Sequence, residues 1–352
     1  MERLAIATVA TAVPMGAQVY ETEVASRAEA ALAATDVPWR VERVVVRSLR
    51  APLEGTRRIP MGAVQRGRPS VRRAAGRMLY PRGALVHRMS LSLPPAPTEV
   101  ITLHDVVAWK FPDEGIPIET APAELRAAAA VVCVSENTAA DAVEMFGVTD
   151  PKVVHLGVDD RFRDRTPLDD ATRGSLGLTG RYVLHAGGAS TRKNLEGLAD
   201  AWSRIASSHP DVSLALSGPE HPRRTSLFRD LPRTLLLGRL NNALVPGLIA
   251  GAEAVVVPSL YEGFGLPVLE AMAAGTPVVA AATSSLPEVA GDAAVLVPPT
   301  GEGIAEGLSA VLGSPIERDA LIARGLARAS EFTWERCAAE HAAIWNDSAR
   351  SR

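Results

Sequence analysis

Short apolar and β-branched runs alternate with alanine-rich stretches along the whole chain, and Gly, Pro, Asp or Ser punctuates the joints between them. Strand-length apolar runs joined by helix-length segments predict parallel sheets with crossover helices, so the fold class is α/β. In the first half the predicted strands are Leu4 to Val13, Val41 to Ser48, Ala84 to Ser90, Glu99 to His104, Ala130 to Ser135 and Lys152 to Gly157. The stretch from Asp159 to Gly180 is polar and aperiodic, and reads as a linker. A second series follows: Tyr182 to Ala186, Val212 to Ser217, Thr234 to Leu237, Ala254 to Pro258, Pro277 to Ala281 and Ala294 to Val297. Two series predict two Rossmann-like, doubly wound domains meeting at a central cleft, and the tail from Trp334 to Asn346 reads as a helix. Such sheets bind ligands outside the carboxyl ends of their strands, so the loops after those strands are where chemistry is expected.

A chain of 352 residues, 47% of them hydrophobic, has material for two separate cores. The formal net charge of -3 gives no global attraction to nucleic acid. Cys133 and Cys337 alone make neither a disulfide framework nor a zinc-binding spacing. The opening Met1-Glu2-Arg3 runs into a short strand-like segment instead of a secretory leader, and no run reaches the ~18 apolar residues of a membrane span. The expected location is the cytoplasm. Lysine occurs only at 110, 152 and 193, so nearly all positive charge is arginine, a bias that looks like the codon usage of a GC-rich genome.

The strongest motif is Tyr261-Glu262-Gly263-Phe264-Gly265-Leu266-Pro267-Val268-Leu269-Glu270, directly after a predicted strand. Gly263 and Gly265 allow a ligand to approach bare backbone, and Pro267 suits the first turn of a helix. The amides of Phe264, Gly265 and Leu266 are then expected to act as helix-N-terminal donors for a diphosphate or for sugar hydroxyls, with Glu262 and Glu270 flanking the turn. A second constellation, Gly187-Gly188-Ala189-Ser190-Thr191-Arg192-Lys193-Asn194, follows the first strand of the second series. Its glycine pair permits a tight turn, and its two adjacent cations can neutralise a diphosphate or simply begin a solvated helix.

The run from 262 to 278 resembles family 4 of the retaining glycosyltransferases, whose signature is a glutamate, seven residues and a second glutamate within E-G-F-G-L-P-x-L-E-A-M-A-x-G-x-P-V. Ser284-Ser285-Leu286-Pro287-Glu288-Val289 and Gly291-Asp292-Ala293-Ala294 continue the likeness, which is close in the second half and looser in the first. The resemblance implies a GT-B fold of two Rossmann-like domains, 1–165 on the acceptor side and 166–330 binding the nucleotide sugar, with 331–352 a helix returning to the first domain. It implies that Glu262 meets the donor sugar, Glu270 the nucleotide ribose, and Arg192 and Lys193 the departing diphosphate, beside Gly188. In the first half it implies Gly16, within Pro14-Met15-Gly16-Ala17-Gln18, as a pyrophosphate contact, although the family has a glycine pair or Gly-x-Gly there. A plain turn glycine is the other reading. It also implies His104 against the donor sugar, with Asp105 orienting its neighbour or capping a turn. Ser135-Glu136-Asn137-Thr138 matches a family segment at the acceptor cleft, but a helix N-cap is the favoured reading of these residues.

The chain has no Gly-x-Gly-x-x-Gly, no Asp-x-Asp and no Walker loop, so neither a dinucleotide cofactor nor a bound metal is expected. The implied function is a retaining, metal-independent hexosyltransferase acting by front-face displacement on a nucleotide diphosphate sugar. GDP-mannose is the leading donor and UDP-sugars the other choice, and the acceptor is a glycan, a lipid-linked sugar or a small molecule. A GT-B sugar-nucleotide epimerase and a non-catalytic sugar-nucleotide-binding subunit are the rival readings; the glutamate pair and the intact Arg192 and Lys193 speak against them. Finally, the segment from Arg40 to Arg88 holds thirteen arginines against only Glu42 and Glu54. Within it Arg57, Arg58, Arg66, Arg68, Arg72, Arg73 and Arg77 surround apolar residues such as Met61, Val64 and Met78. Three readings stay open: a peripheral contact with the anionic inner face of a membrane, a solvated face, and a site for a soluble anionic acceptor.

Overall fold

The computed structural model describes residues 1–12 and 16–351. They form two compact units: one of residues 1–110, 115–157 and 333–352, the other of residues 111–114 and 158–332. The division therefore falls at 157/158 and 332/333 instead of at the expected 165/166 and 330/331, and residues 111–114 group with the second unit.

Among the described residues the first unit carries a seven-stranded sheet, in the order β3-β2-β1-β4-β5-β6-β7. Its strands are β1 (Glu2–Val9), β2 (Trp39–Ser48), β3 (Arg57–Ile59), β4 (Leu85–Arg88), β5 (Glu99–Leu103), β6 (Ala130–Cys133) and β7 (Lys152–Val153). Each neighbouring pair is parallel. The strand β3 is an addition to the predicted set: its two arginines are exposed and only Ile59 turns inward, so it shows no apolar run. β1 ends at Val9, short of the expected Val13, and residues 13–15, which include that expected strand end, lie outside the described residues.

The helix Gly16–Ala33 packs against the helix Trp334–Arg350 in this unit. Buried polar groups tie both to the sheet. Trp345 Nε1 donates to His87 Nδ1 (3.1 Å), which leaves the proton of His87 on Nε2, 2.8 Å from Thr102 Oγ1. The Tyr20 hydroxyl bridges Thr102 Oγ1 (3.1 Å) and His341 Nε2 (2.6 Å).

The helix Pro69–Leu79 corrects the reading of the arginine-rich segment. It turns Arg72, Gly76 and Leu79 inward, one side of a 3.6-residue period. Arg72 is fully buried: its Nε donates to Glu124 Oε1 (2.7 Å) and its Nη2 to the carbonyl of Leu93 (2.8 Å). Arg88 joins the same network through Glu124 (2.7 Å) and a two-pronged contact with Glu99 (3.0 and 3.1 Å). Arg72 is thus an internal ion-pair partner and no part of a surface patch. Arg57, Arg58, Arg66, Arg68, Arg73 and Arg77 are exposed.

The second unit carries, among the described residues, a six-stranded sheet in the order β10-β9-β8-β11-β12-β13. Its strands are β8 (Arg181–Ala186), β9 (Val212–Ser217), β10 (Thr234–Gly238), β11 (Ala254–Val257), β12 (Val278–Ala281) and β13 (Val295–Val297), and every neighbouring pair is parallel. β11 and β12 are buried along their whole length, which is why they read as unbroken Ala/Val runs. Leu198, Trp202, Leu214, Leu216, Phe228, Val256 and Leu308 anchor the core on one side of this sheet. The order reverses direction between β8 and β11, so the loops that leave these two strands border the topological switch point where doubly wound sheets bind ligands.

The expected linker is not featureless. Asp159 caps a 3-10 turn, Asp160–Phe162, and Asp169 caps the helix Asp170–Ser175, each carboxylate accepting from a backbone N–H. No helix among the described residues is long and apolar enough to cross a membrane.

Candidate active site

Three of the predicted residues meet at the switch point of the second unit. β8 ends at Ala186, and the chain then passes through Gly187 and Gly188 into the 3-10 turn Thr191–Lys193. Asn194, in the left-handed region (φ 52°), starts the next helix, accepting from Gly197 N–H. Its Nδ2 donates to the carbonyls of Pro258 and Pro299, both at 2.9 Å, so one amide side chain fixes the loops after β8, β11 and β13 together.

Glu262 lies on the loop after β11, 7% exposed. Its Oε1 accepts from Lys193 Nζ (2.6 Å) and from Ser259 Oγ (2.7 Å), and its Oε2 from Arg192 Nη1 (2.8 Å). Burial alone would push this carboxyl up, but the charges of Lys193 and Arg192 and their hydrogen bonds outweigh it and hold the group at about 2. Glu262 is therefore an anion at any physiological pH. The Arg192 fork also donates from Nε to Glu114 and from Nη1 to the carbonyl of Tyr261 (3.2 Å). The loops are stitched at the backbone as well: Leu260 N–H donates to the carbonyl of Arg192 (2.7 Å).

Behind Glu262, Ser284 Oγ accepts from its backbone N–H (2.9 Å), and Ser285 Oγ donates to the carbonyls of Glu262 (2.9 Å) and Phe264 (2.7 Å). Gly265 then starts the helix Leu266–Ala273 with φ +110°, a conformation that glycine supplies without strain, and a Cβ there would sit 2.9 Å from Leu286. The ring of the buried Phe264 stands 6.0 Å from that of Phe332, so this residue also has a packing role. Leu266 is the first residue of the helix and half-buried.

Glu270, one turn further into the same helix, stands apart from the Glu262 cluster. Burial pushes its carboxyl up to about 7; Arg161 pulls it down and Asp159 raises it. Both of these come from the segment expected to be a linker.

Gly16 and His104 belong to the first unit. Gly16 is the exposed first residue of its helix. His104 follows β5; its ring meets Tyr20 edge-on (5.1 Å between centroids), and its Nε2 donates to the carbonyl of Met89 (3.0 Å). Burial lowers its pKa to about 4, against the hydrogen bond to Met89, so the ring is neutral with its lone pair on Nδ1. Asp105 Oδ1 accepts from Val107 N–H (3.1 Å), a turn cap. Ser135 caps the helix Glu136–Phe146, its Oγ accepting from Thr138 N–H (3.0 Å).

The motif-based reading assigned no role to Ser259, Ser284, Ser285, Asn194, Asp113 or Glu114. Ser284-Ser285 and Asn194 lie inside the motifs themselves, so their place in the site was within reach of the sequence. Asp113, which accepts from Thr191 N–H (2.6 Å), and Glu114 lie in a 3-10 turn distant in sequence, and no local pattern announces them.

Comparison with known proteins places this geometry. Residues 170–328 match the model of the family described as glycosyl transferases group 1. O-antigen chain mannosyltransferase B of Escherichia coli is 32% identical over 60% of this chain and 59% of its own. A GDP-mannose-dependent alpha-(1-6)-phosphatidylinositol dimannoside mannosyltransferase of Mycobacterium tuberculosis is 31% identical over 59% of this chain and 55% of its own. The aligned part thus spans little more than half the length of these relatives. Among solved structures, Anabaena HepE in complex with UDP and glucose superimposes with a TM-score of 0.71 at 18% identity, covering 99% of this chain and 100% of its own. That likeness carries the fold, which is the GT-B fold of two units with parallel sheets. Over residues 170–328, within its second unit, the chain is similar to the glycosyl transferases group 1, and the sequence relatives that it resembles over this part are mannosyltransferases.

Proposed function

We propose that this protein is a retaining, metal-independent hexosyltransferase that moves mannose from GDP-mannose to a hydroxyl of a glycan, lipid-linked or small-molecule acceptor. The observation that carries the reading is the carboxylate of Glu262, held ionised between Lys193 and Arg192 at the ends of β8 and β11. The carboxylate would accept hydroxyls of the donor sugar, while the two cations turn to the diphosphate beside Gly188 and the helix that begins at Gly265 and Leu266. Glu270 would take the ribose hydroxyls. Gly16 and His104 are proposed as contacts to the pyrophosphate and the donor sugar from the first unit.

In the reaction the bond from the anomeric carbon to the diphosphate oxygen breaks, and the acceptor oxygen bonds to the same face of that carbon. The acceptor proton passes to the departing diphosphate oxygen, so no side chain need act as nucleophile or base. Lys193 and Arg192 stabilise the charge that grows on the leaving group, which is where electrostatic stabilisation acts most strongly. The relatives' names support mannose, and one names GDP-mannose. The nucleotide in the Anabaena structure is UDP, which keeps a UDP-sugar as the alternative donor.

The acceptor is proposed to reach the protein at an anionic membrane surface, from the cytoplasmic side. Val71 and Met78, 52% and 82% exposed, lie on the helix Pro69–Leu79 among the exposed Arg66, Arg68, Arg73 and Arg77. Apolar side chains ringed by cations suit a bilayer interface.

The test is a panel of sugar nucleotides in EDTA, read by donor consumption and by the anomeric configuration of the product. GDP-mannose should be consumed and the product should keep the donor's configuration. Inverted product would contradict retention, and activity that returns only with added metal would contradict metal independence.

A further inference from the structure

The loop after β8 is gripped from behind by a helix that the catalytic reading does not use. Helix Pro222–Phe228 follows β9 after the turn at Gly218, and two of its arginines reach back to the loop. Arg224 donates through Nη2 to the carbonyls of Gly187 and Gly188 (3.0 Å to the latter), and through Nη1 to that of Pro219 (2.8 Å). Arg223 donates through Nη1 to the carbonyl of Ala189 (3.1 Å) and is itself balanced by Glu196. Gly218, at φ +144°, leaves the space these contacts need: a Cβ there would lie 2.0 Å from the carbonyl oxygen of Gly187 and 2.8 Å from the Arg224 guanidinium.

Arg224 is 3% exposed, yet no ion pair among the described residues includes it and its Nε has no partner. A buried guanidinium without a counter-anion is costly, and such a charge is best accounted for by an anion that arrives. The geometry of the loop says where. In a trans peptide the N–H points opposite to the C=O. With the carbonyls of Gly187, Gly188 and Ala189 all drawn to the two arginines, the N–H groups of Gly188, Ala189 and Ser190 are turned away from them. None of the three donates to another group of the protein among the described residues. Successive free amides beside Lys193 form an anion-binding nest.

We propose that Arg224 is the positioning residue of the leaving diphosphate: it pulls the loop carbonyls back so that three amides face the phosphates, and it supplies a buried charge that only the ligand balances. Arg223 holds the third carbonyl of the same nest. This rests on the donor site proposed above.

Titration calorimetry on the full chain tests it, with GDP, UDP, guanosine and uridine as probes and Arg224→Met and Arg224→Lys as variants. Arg224→Met should weaken the better-bound nucleoside diphosphate about tenfold or more, the scale of lost charge-assisted hydrogen bonds, and leave its nucleoside within about twofold. Arg224→Lys, which keeps the charge but not the fork, should fall between and answers for the case in which the methionine variant does not fold. Unchanged diphosphate binding in either folded variant overturns the positioning role, and so does an equal loss for nucleoside and diphosphate, which would mark a role in the fold only. If the wild-type protein binds neither GDP nor UDP, the donor reading itself fails, and this inference fails with it; that outcome is distinct because it appears before any substitution.

Discussion

At the level of single residues the two signature glutamates are in opposite electrostatic states, although each lies in the same ten-residue motif. Glu262 is held low by two cations, whereas burial raises Glu270 to about 7. Glu262→Ala is expected to damage turnover with donor bound, while Glu270→Ala should chiefly weaken the nucleotide. Equal losses of affinity for free GDP in both variants would refute the division. The raised carboxyl of Glu270 also sets a pH dependence. In the proposed role the ionised form accepts the ribose hydroxyls, and below about 7 a proton competes for it. Nucleotide affinity should therefore rise with pH from 6 to 8, by up to about tenfold per unit on the acid side of 7, which is the limit for one coupled proton. Glu270→Gln should remove that part of the slope; an unchanged slope in this variant would show that Glu270 does not titrate against the ligand. The motif made both glutamates legible in the sequence, but not their protonation. That is set for Glu262 by Lys193 and Arg192, which lie outside the motif, and for Glu270 by burial, which only the folded chain imposes.

The elements were legible where burial is two-sided and obscure where charge intervenes. β9 was read to the residue because Val212–Ser217 is apolar and bounded by turn residues. β3 was missed because two of its three residues are exposed arginines at a sheet edge. Arg72 was misjudged for a related reason. Its neighbours Arg73 and Arg77 do face solvent, and only the helical period, which aligns it with Gly76 and Leu79, separates it from them. The buried network makes a measurable distinction. Glu124→Ala leaves Arg72 and Arg88 short of their shared anion and should cost roughly 3–5 kcal/mol in denaturant unfolding. Arg73→Glu with Arg77→Glu should change stability by no more than about 0.5 kcal/mol per site while abolishing salt-sensitive sedimentation with anionic vesicles. Vesicle binding that survives the double charge reversal would retire the membrane proposal.

For the whole molecule, alternation of apolar runs and helical stretches was enough to specify two doubly wound sheets, because both are built from sequential βαβ units whose central strands, such as β4, β5, β11 and β12, are buried along their whole length. The placement of the candidate site followed from the same topology: the loops after β8 and β11 flank the reversal of strand order, and Arg192, Lys193 and Glu262 lie on them. The structure assigned residues 111–114 to the second unit, a long-range arrangement for which sequence carries no periodic signal. It also brought Arg223 and Arg224, which belong to no motif, to the back of the glycine loop. The central claim is that the cluster of Glu262, Arg192 and Lys193 serves the departure of a nucleoside diphosphate from its sugar. The most direct measurement is kcat for GDP-mannose with the wild-type protein and with Lys193→Ala, in EDTA and at saturating donor. The account predicts a fall of roughly 10²-fold or more, the size expected when a stabiliser of transition-state charge is removed. A Lys193→Ala protein that turns over at a near-normal kcat would contradict it.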